Sequence, residues 1–463
     1  MKIFFFGATR SVSGSLHEVE AGGKNWLFDC GLFQGRRQDM YECNAKLPVS
    51  PGKVAGVFLS HAHVDHSGRL PRLVSQGFRG PIYATRPTID LCELLLEDSA
   101  YVLRSQTKKL NARRKARGLT ALPELYNEED VNLALSLMRE VEWGEDIIPS
   151  EGLKVNFLSA GHILGASIIV LTETKRKETC RIAFSGDIGR PGDWILPQPD
   201  VPENADYLVL ESTYGDRIHR PYSYAKSEFC NKINETIESG GKIIIPAFSV
   251  GRTQRLLYEL HEFINSGALP DVPIYLDSPL SIKASENFLR HSDILNERIE
   301  DTIDSEWHKC TPVVSPDESK ELVKKDGPYI VITASGMCEA GRVLYHLQSN
   351  LPDENSRVVF VGFCAKDTLG RQLIDGIKTV RINKVEVPVN ANIDFLDTFS
   401  SHADKENLIN WVKAQNEAKG VFLVHGEEEQ TFALAEELEN ETDKEIVVPF
   451  SGESFELTKE KII

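Results

Sequence analysis

At 463 residues the chain is too long for one ordinary hydrophobic core, so at least two domains are expected. A formal net charge of -17 argues against a uniformly basic nucleic-acid binder, and no run approaches the roughly 20 apolar residues of a membrane helix. Eight cysteines, scattered without a Cys-x-x-Cys pair, support neither a disulfide framework nor a zinc ribbon and point to a reducing cytoplasm.

In chain order, Lys2–Phe6, Trp26–Phe28, Gly56–Leu59 and Pro81–Ala84 read as short strands between turn residues. The first lacks the length and cleavage site of a signal peptide. Helical periodicity covers Thr88–Arg104 and then Glu128–Glu140, the latter opened by Asn127 with acids in its first turn. Further strands are predicted at Leu153–Ser159, Ser167–Thr172, Arg181–Ser185 and Tyr207–Leu210. From about Arg217 the pattern alternates: helix Ala225–Ser239, strand Lys242–Ile245, helix Thr253–Ser266, strand Pro273–Leu276, then strands Tyr329–Thr333 and Arg357–Val361. Such alternation predicts a parallel-sheet α/β unit. From about Lys384 the chain is strand-rich again, followed by a helix at Lys405–Glu417, a strand at Val421–Val424 and a helix at Glu428–Asn440. An α/β insert therefore interrupts a first domain that resumes near the C-terminus.

Charge is uneven along this order. Residues 403–463 hold fifteen acids against six bases, whereas 104–117 holds seven bases and no acid. That basic run reads equally well as a solvated helix face, so overall charge does not decide the substrate.

The densest chemistry is His61-Ala62-His63-Val64-Asp65-His66, directly after the apolar run Val57–Leu59. Three imidazoles and a carboxylate are costly to bury without partners, while a turn at the end of a strand can aim them into one cavity. Zinc favours that mixture of nitrogen and oxygen donors, and the alternative is a surface histidine cluster. Four more sites follow the same grammar of apolar run, polar residue and glycine: Asp29 before Cys30-Gly31, His162 after Gly161, Asp187 before Ile188-Gly189, and His425 before Gly426. Each alone reads as a turn or a hydrogen-bonding histidine. Together they make a candidate metal site.

With these residues in place the sequence resembles the metallo-β-lactamase superfamily. Leu208 to Gly215 around Glu211, Ser400 to Asp404 around His402, and Leu423 to Glu427 around His425 resemble the three additional motifs of its β-CASP branch of RNA nucleases. The resemblance is to the compact bacterial type, similar to the 3′-end-processing endonuclease subunit and ribonuclease J. It implies an α/β fold: an αββα sandwich at 1–215, an inserted β-CASP α/β domain at 216–388, and the sandwich's return at 389–463. It also implies two zinc ions per chain. His61, His63 and His162 would hold one ion; Asp65, His66 and His425 the other; and Asp187 would bridge them.

Asp29 is expected to orient a ligand imidazole rather than bind metal. Two dications about 3.5–4 Å apart can hold a bridging hydroxide as nucleophile. His402 is the candidate general acid for a leaving 3′-oxygen, oriented by Glu211, which favours its charged form; Asp65 is counted with this catalytic set as well. Ser249, Arg252, Ser278, Ser335, Gly336, Met337 and Arg342 resemble family segments that hold RNA phosphates, on loops after strands. His17, His219, His261, His291, His308 and His346 fit no motif and default to structural or surface roles.

The expected function is zinc-dependent hydrolysis of RNA phosphodiesters, as endonuclease, 5′-to-3′ exonuclease or both, in RNA processing or decay. RNA is the expected partner, no membrane contact is expected, and a homodimer is compatible with the resemblance. The alternatives are a DNA nuclease of the same branch, against which His425 speaks, a small-substrate hydrolase, which would leave the insert unexplained, and a non-catalytic RNA-processing scaffold, which would be expected to have lost ligands.

Overall fold

The computed structural model describes residues 1–34, 40–176, 178–193, 195–296, 299, 309–362, 364, 368–396, 400–459 and 461–463. It forms two compact units. The first comprises Met1–Asp193, Pro197–Ile218 and His402–Ile463, and the second Trp194–Leu196 with His219–Ser401. The insert limits expected at 216 and 388 compare with 219 and 401 here. Among the described residues no helix is long and apolar enough to cross a membrane.

The first unit is built on two seven-stranded sheets. One runs in the order Ser454–Glu456, Lys2–Phe5, His17–Ala21, Lys24–Phe28, Val54–Phe58, Ile82–Thr85, Met138–Val141. The other runs Glu445–Val447, Gly420–Val424, Tyr207–Glu211, Glu178–Phe184, Ser167–Lys175, Leu153–Ser159, Asp146–Ser150. Alternating burial along Leu153–Ser159 is what a strand with one face on a core requires. The core lies between the sheets and draws phenylalanines from both: Phe28 stacks on Phe184 at 5.0 Å, and Phe5 meets Phe422 at 5.0 Å. Gly22 and Gly23, both with positive φ, close the hairpin that pairs Ala21 with Lys24, as a two-residue turn demands.

Two helices depart from the sequence expectation. The one expected to stop at Arg104 runs from Arg86 to Ala116. The one expected to reach Glu140 stops at Ser136, and Met138–Val141 is a strand paired with Ile82–Thr85. Asn127 caps that helix with its side chain on the Asp130 amide, and the Asp130 carboxylate caps back.

The second unit carries a parallel sheet in the order Thr311–Pro312, Ile274–Asp277, Ile330–Thr333, Ile243–Pro246, Arg357–Phe360, Asn392–Phe395. Its central strands are apolar on both faces, as a sheet covered by helices on two sides requires. Ser278, Ser335 and Ser249 follow the C-terminal ends of three neighbouring strands, the edge where open parallel sheets bind ligands.

Candidate metal centre

All the predicted donors belong to the first unit. The strand Val54–Phe58 delivers the chain to Ser60, and His61 and His63 lie on the loop that follows. His63 is the N-cap of a one-turn helix, Val64–Ser67, which carries Asp65 and His66. The loop after Lys24–Phe28 is fastened to that helix by Cys30 N to His66 O at 2.8 Å, Leu32 N to Val64 O at 2.7 Å and Arg69 N to Cys30 O at 2.8 Å. Gly31 is needed there because a Cβ would come within 1.5 Å of Asp65 O. From the other sheet come His162, Asp187 and His425, each just past a strand end. His425 and Asp29 hold left-handed backbone, with φ of 51 and 59, a conformation that costs non-glycine residues energy and gathers at functional sites.

The donor atoms fall into two sets. His61 Nε2 is 3.1 Å from His63 Nδ1, His162 Nε2 is 3.3 Å from the same atom, and Asp187 Oδ2 is 3.6 Å from both His61 Nε2 and His162 Nε2. In the second set His66 Nε2 is 3.1 Å from His425 Nε2, and Asp65 Oδ2 is 3.6 Å from that nitrogen. Asp187 Oδ1 lies 3.3 Å from His66 Nε2 and 3.3 Å from His425 Nδ1. The two oxygens of one buried carboxylate thus face different donor sets.

A tetrahedral zinc with bonds of about 2.0–2.1 Å would put its donors roughly 3.3–3.4 Å apart, inside the 3.1 to 3.6 Å range of these separations. Asp187 Oδ1 is also buried without a hydrogen bond, an arrangement that a nearby cation would satisfy. On both counts the residues fit a pair of divalent metal ions.

Protonation states separate the sets. Burial, with His66 adding to it, holds His61 well below the ordinary imidazole value; burial and His402 do the same to His162. Burial outweighs Asp65 and Asp187 and lowers His63 to about 4. These rings are neutral donors at neutral pH. His66 goes the other way: burial disfavours its charge, yet Asp187 and Asp29 together hold it well above 6.5. Burial opposes the charge of Asp187 as well, but His425, His66 and His61 hold it well below the carboxylate range.

Next to the donors, His402 Nδ1 lies 3.0 Å and 3.2 Å from the two oxygens of Glu211. Glu211 is fully buried and also accepts the Ile188 amide at 2.6 Å. Gly189 bridges to His402, so the residues just after Asp187 fix both members of the pair. Asp404 caps the helix Lys405–Lys413 through the Asn407 amide at 3.0 Å. His402 is thereby outside the helix, with its ring centroid 4.4 Å from that of His162.

Sequence reading missed several supports. Arg69 is buried, with its guanidinium on the carbonyls of Gly31, Cys43 and Gly14. Ser60 gives both its amide and its hydroxyl to Asp29, at 2.8 Å and 2.9 Å. Thr213 Oγ1 is 3.2 Å from His425 Nδ1. The signal was adjacency alone, since each follows or precedes a motif residue by one to three positions.

In the second unit Arg342 and Arg252, expected to contact phosphate, have protein partners. Arg342 donates to Asp277 Oδ1 at 2.8 Å, Val313 O at 2.7 Å and Val314 O at 2.6 Å. Arg252 is nearly buried, with Nη1 on Val361 O. Both guanidiniums bind protein groups within that unit. His346 Nε2 also meets Asp277, at 2.7 Å from Oδ2. Ser249 Oγ and Ser278 Oγ lie 3.5 Å apart, Ser278 caps the helix Pro279–Arg290, and Ser335 reaches Ala340 O at 3.4 Å. Met337 O and Gly336 O accept from Gly370 N and Cys364 Sγ. His308 lies outside the described residues.

A two-sheet domain with an α/β insert and a His/Asp centre on the sheet ends defines a metallo-hydrolase of the metallo-β-lactamase kind. The chain matches the metallo-beta-lactamase superfamily over residues 13–87, the Beta-Casp domain over 253–373 and the Zn-dependent metallo-hydrolase RNA specificity domain over 386–449. It is 37% identical over 439 residues to a ribonuclease of Thermus thermophilus, covering 94% of this chain and 95% of that protein. An RNase J-like protein of Methanocaldococcus jannaschii is 31% identical over 435 residues, covering 93% and 94%. A transcription termination factor of the same archaeon is 27% identical, covering 97% of this chain and 71% of its own length. A crystal structure of a protein of unknown function from Enterococcus faecalis shares the fold, with a TM-score of 0.56 at 14% identity over 98% of this chain and 99% of that one. The chain belongs to the β-CASP branch of the metallo-β-lactamase superfamily.

Proposed function

We propose that this metallo-hydrolase is a metal-dependent ribonuclease that uses two zinc ions to hydrolyse RNA phosphodiesters, leaving 5′-phosphate and 3′-hydroxyl ends. The single observation that carries the reading is the His402–Glu211 pair standing beside two donor sets that share Asp187. His61, His63 and His162 would hold one ion, Asp65, His66 and His425 the other, with Asp187 common to both. When bound, the ions would lower the pKa of water and offset the charge of the scissile phosphate.

The chain's own groups divide the remaining work. Glu211 accepts the Nδ1 proton of His402 and sets the ring's orientation. Nε2 then carries the proton that passes to the ribose 3′-oxygen as the P–O3′ bond breaks and water oxygen bonds to phosphorus. Asp29 holds the His66 ring from behind, at 2.6 Å from Nδ1, so that Nε2 can serve as donor. The loops bearing Ser249, Ser278, Ser335, Gly336 and Met337 supply hydroxyls and amides for the RNA backbone, whereas Arg252 and Arg342 brace those loops from inside the unit.

The test is cleavage of one RNA labelled at each end, in 5′-phosphate and 5′-triphosphate forms, alongside the matching DNA strand. Metal-dependent cleavage of RNA, abolished by a chelator, is expected, and the two labels separate internal cuts from stepwise ones. Activity that survives full metal removal, or cleavage of DNA or thioesters with none of RNA, overturns the proposal.

A further inference from the structure

The helix Arg86–Ala116 has 31 residues, about 46 Å at 1.5 Å per residue. Its start is tied to the metal centre: Thr85 Oγ1 and Thr88 Oγ1 both donate to Gly165 O, at 2.8 Å and 3.0 Å, three residues beyond His162. Its far half is fixed along an inner face. Asn111 exchanges two hydrogen bonds with Leu122 at 2.8 Å each, Arg114 Nε reaches Thr120 O at 2.7 Å, and Arg104 pairs with Glu124 and Glu128.

The outer face is different. Lys108, Lys109, Arg113, Lys115 and Arg117 are exposed and make no side-chain hydrogen bond or ion pair among the described residues. Tyr101, Lys108 and Lys115 recur every seven residues and so form one line along the helix; Lys109 and Arg113, one turn apart, lie further round its exposed side, and Arg117 follows as the C-cap residue. Tyr101 is 71% exposed, an aromatic ring placed in solvent at the head of the lysine line.

Helix stability does not account for this face. Favourable interaction with the helix dipole is confined to the last turn, which covers Arg113 to Arg117 but leaves out Lys108 and Lys109. The pairs Lys109–Arg113 and Arg113–Arg117 are like charges one turn apart, which repel. An uncompensated cationic stripe in a chain of net charge -17 calls for a polyanion.

We propose that the outer face of this helix, from Tyr101 to Arg117, is a docking surface for single-stranded RNA, with the five free cations on phosphates and Tyr101 stacking a base. The inference rests on the ribonuclease reading and extends it: Lys108 lies about 33 Å along the helix from Arg86, so the surface grips RNA well away from the scissile bond. Substrates too short to reach it gain nothing from it. Cationic contacts to single strands release counterions, so each one steepens the fall of affinity with salt by about 0.7 in log–log slope.

The test compares the intact chain with a variant carrying Lys108→Ala, Lys109→Ala, Arg113→Ala and Lys115→Ala, alanine being the best helix former. Fluorescence anisotropy with a 30-nucleotide RNA, in chelator so that nothing is cut, should show weaker binding and a salt slope reduced by about 3. In zinc, KM for that RNA should rise at least tenfold with kcat unchanged, while kinetics on a dinucleotide stay as they were. Unchanged RNA affinity and salt slope overturn the proposal, whether or not the surface then proves to take an acidic protein. Should the fourfold variant fail to fold, Lys108→Ala and Arg113→Ala singly must each lower the slope by about 0.7. If the wild type binds RNA but cuts none, the ribonuclease reading fails while the binding arm still decides the surface.

Discussion

His66 Nδ1 lies 2.6 Å from Asp29 Oδ2, with both side chains buried. Asp29 is itself held by Ser60 and by Ser15 Oγ, at 3.3 Å, so the carboxylate cannot turn away from the ring. One nitrogen of His66 is thereby committed to the protein and the other faces His425 and Asp187. In Asp29→Asn the anionic acceptor is gone, though the amide oxygen can still take some of these hydrogen bonds. Metal affinity of the Asp65, His66 and His425 set should fall roughly 10–100-fold, as for other losses of an orienting carboxylate. Chelator competition followed by metal analysis measures this, and retention equal to wild type would deny Asp29 its orienting role.

The same contact makes the two donor sets respond differently to pH. His66 holds its proton at neutral pH because Asp187 and Asp29 overcome burial, so metal must displace that proton. Affinity of its set should therefore rise with pH, about tenfold per unit, up to the raised pKa. His63, at about 4, and the still lower His61 and His162 are already neutral across pH 5.5–7.5, so their set should change little there. Dialysis at pH 5.5 should take the protein from two ions toward one, with His66→Ala mimicking that state at pH 7.5. Parallel loss of both ions across this window is the contrary result.

His402 and Glu211 should be separable from metal binding. His402→Ala removes the proposed proton donor and leaves every member of both donor sets in the chain, so turnover on RNA should fall by about 10²–10⁴ with metal content unchanged. Glu211→Gln keeps the shape but not the charge next to Nδ1, and it should produce a large part of the same loss. Full activity in fully loaded His402→Ala protein would exclude the acid role.

The donor cluster was legible because histidine and aspartate at strand ends have few cheap structural uses, and because four of its members lie within the six residues from His61 to His66. What each charged side chain would meet was not legible. Arg342 stands in a small-residue loop that suits phosphate, yet buried Asp277 and two carbonyls, up to 65 residues earlier in the chain, take its donors. Met138–Val141 fits the helical spacing of the residues before it. It became a strand because Ile82–Thr85 offers an open sheet edge, a tertiary fact that periodicity cannot contain. The Arg86–Ala116 helix was cut short at Arg104 because its far half has little apolar periodicity and is held by polar contacts such as Asn111 with Leu122.

Glycine after the acidic residue was read as a turn signal, and the structure gives it a stricter meaning at two places. Neither Gly31 nor Gly189 has positive φ; what they provide is room. A Cβ at Gly31 would stand 1.5 Å from Asp65 O, and one at Gly189 would stand 1.9 Å from Gly161 O, next to His162. Both obstacles are backbone, so a methyl group must move the ligand-bearing loop itself. Gly31→Ala should displace Asp65 and His66, and Gly189→Ala His162, each costing metal and activity together. Gly23→Ala is the control: its φ of +69 carries a conformational cost of about 1 kcal/mol, but its Cβ would meet nothing within 4 Å. That variant should lose a little thermal stability and keep its metal, whereas Gly31→Ala and Gly189→Ala should lose metal at temperatures where the fold, followed by circular dichroism, is still intact. Full metal content in either would show that the loops yield to the added methyl without moving their ligands.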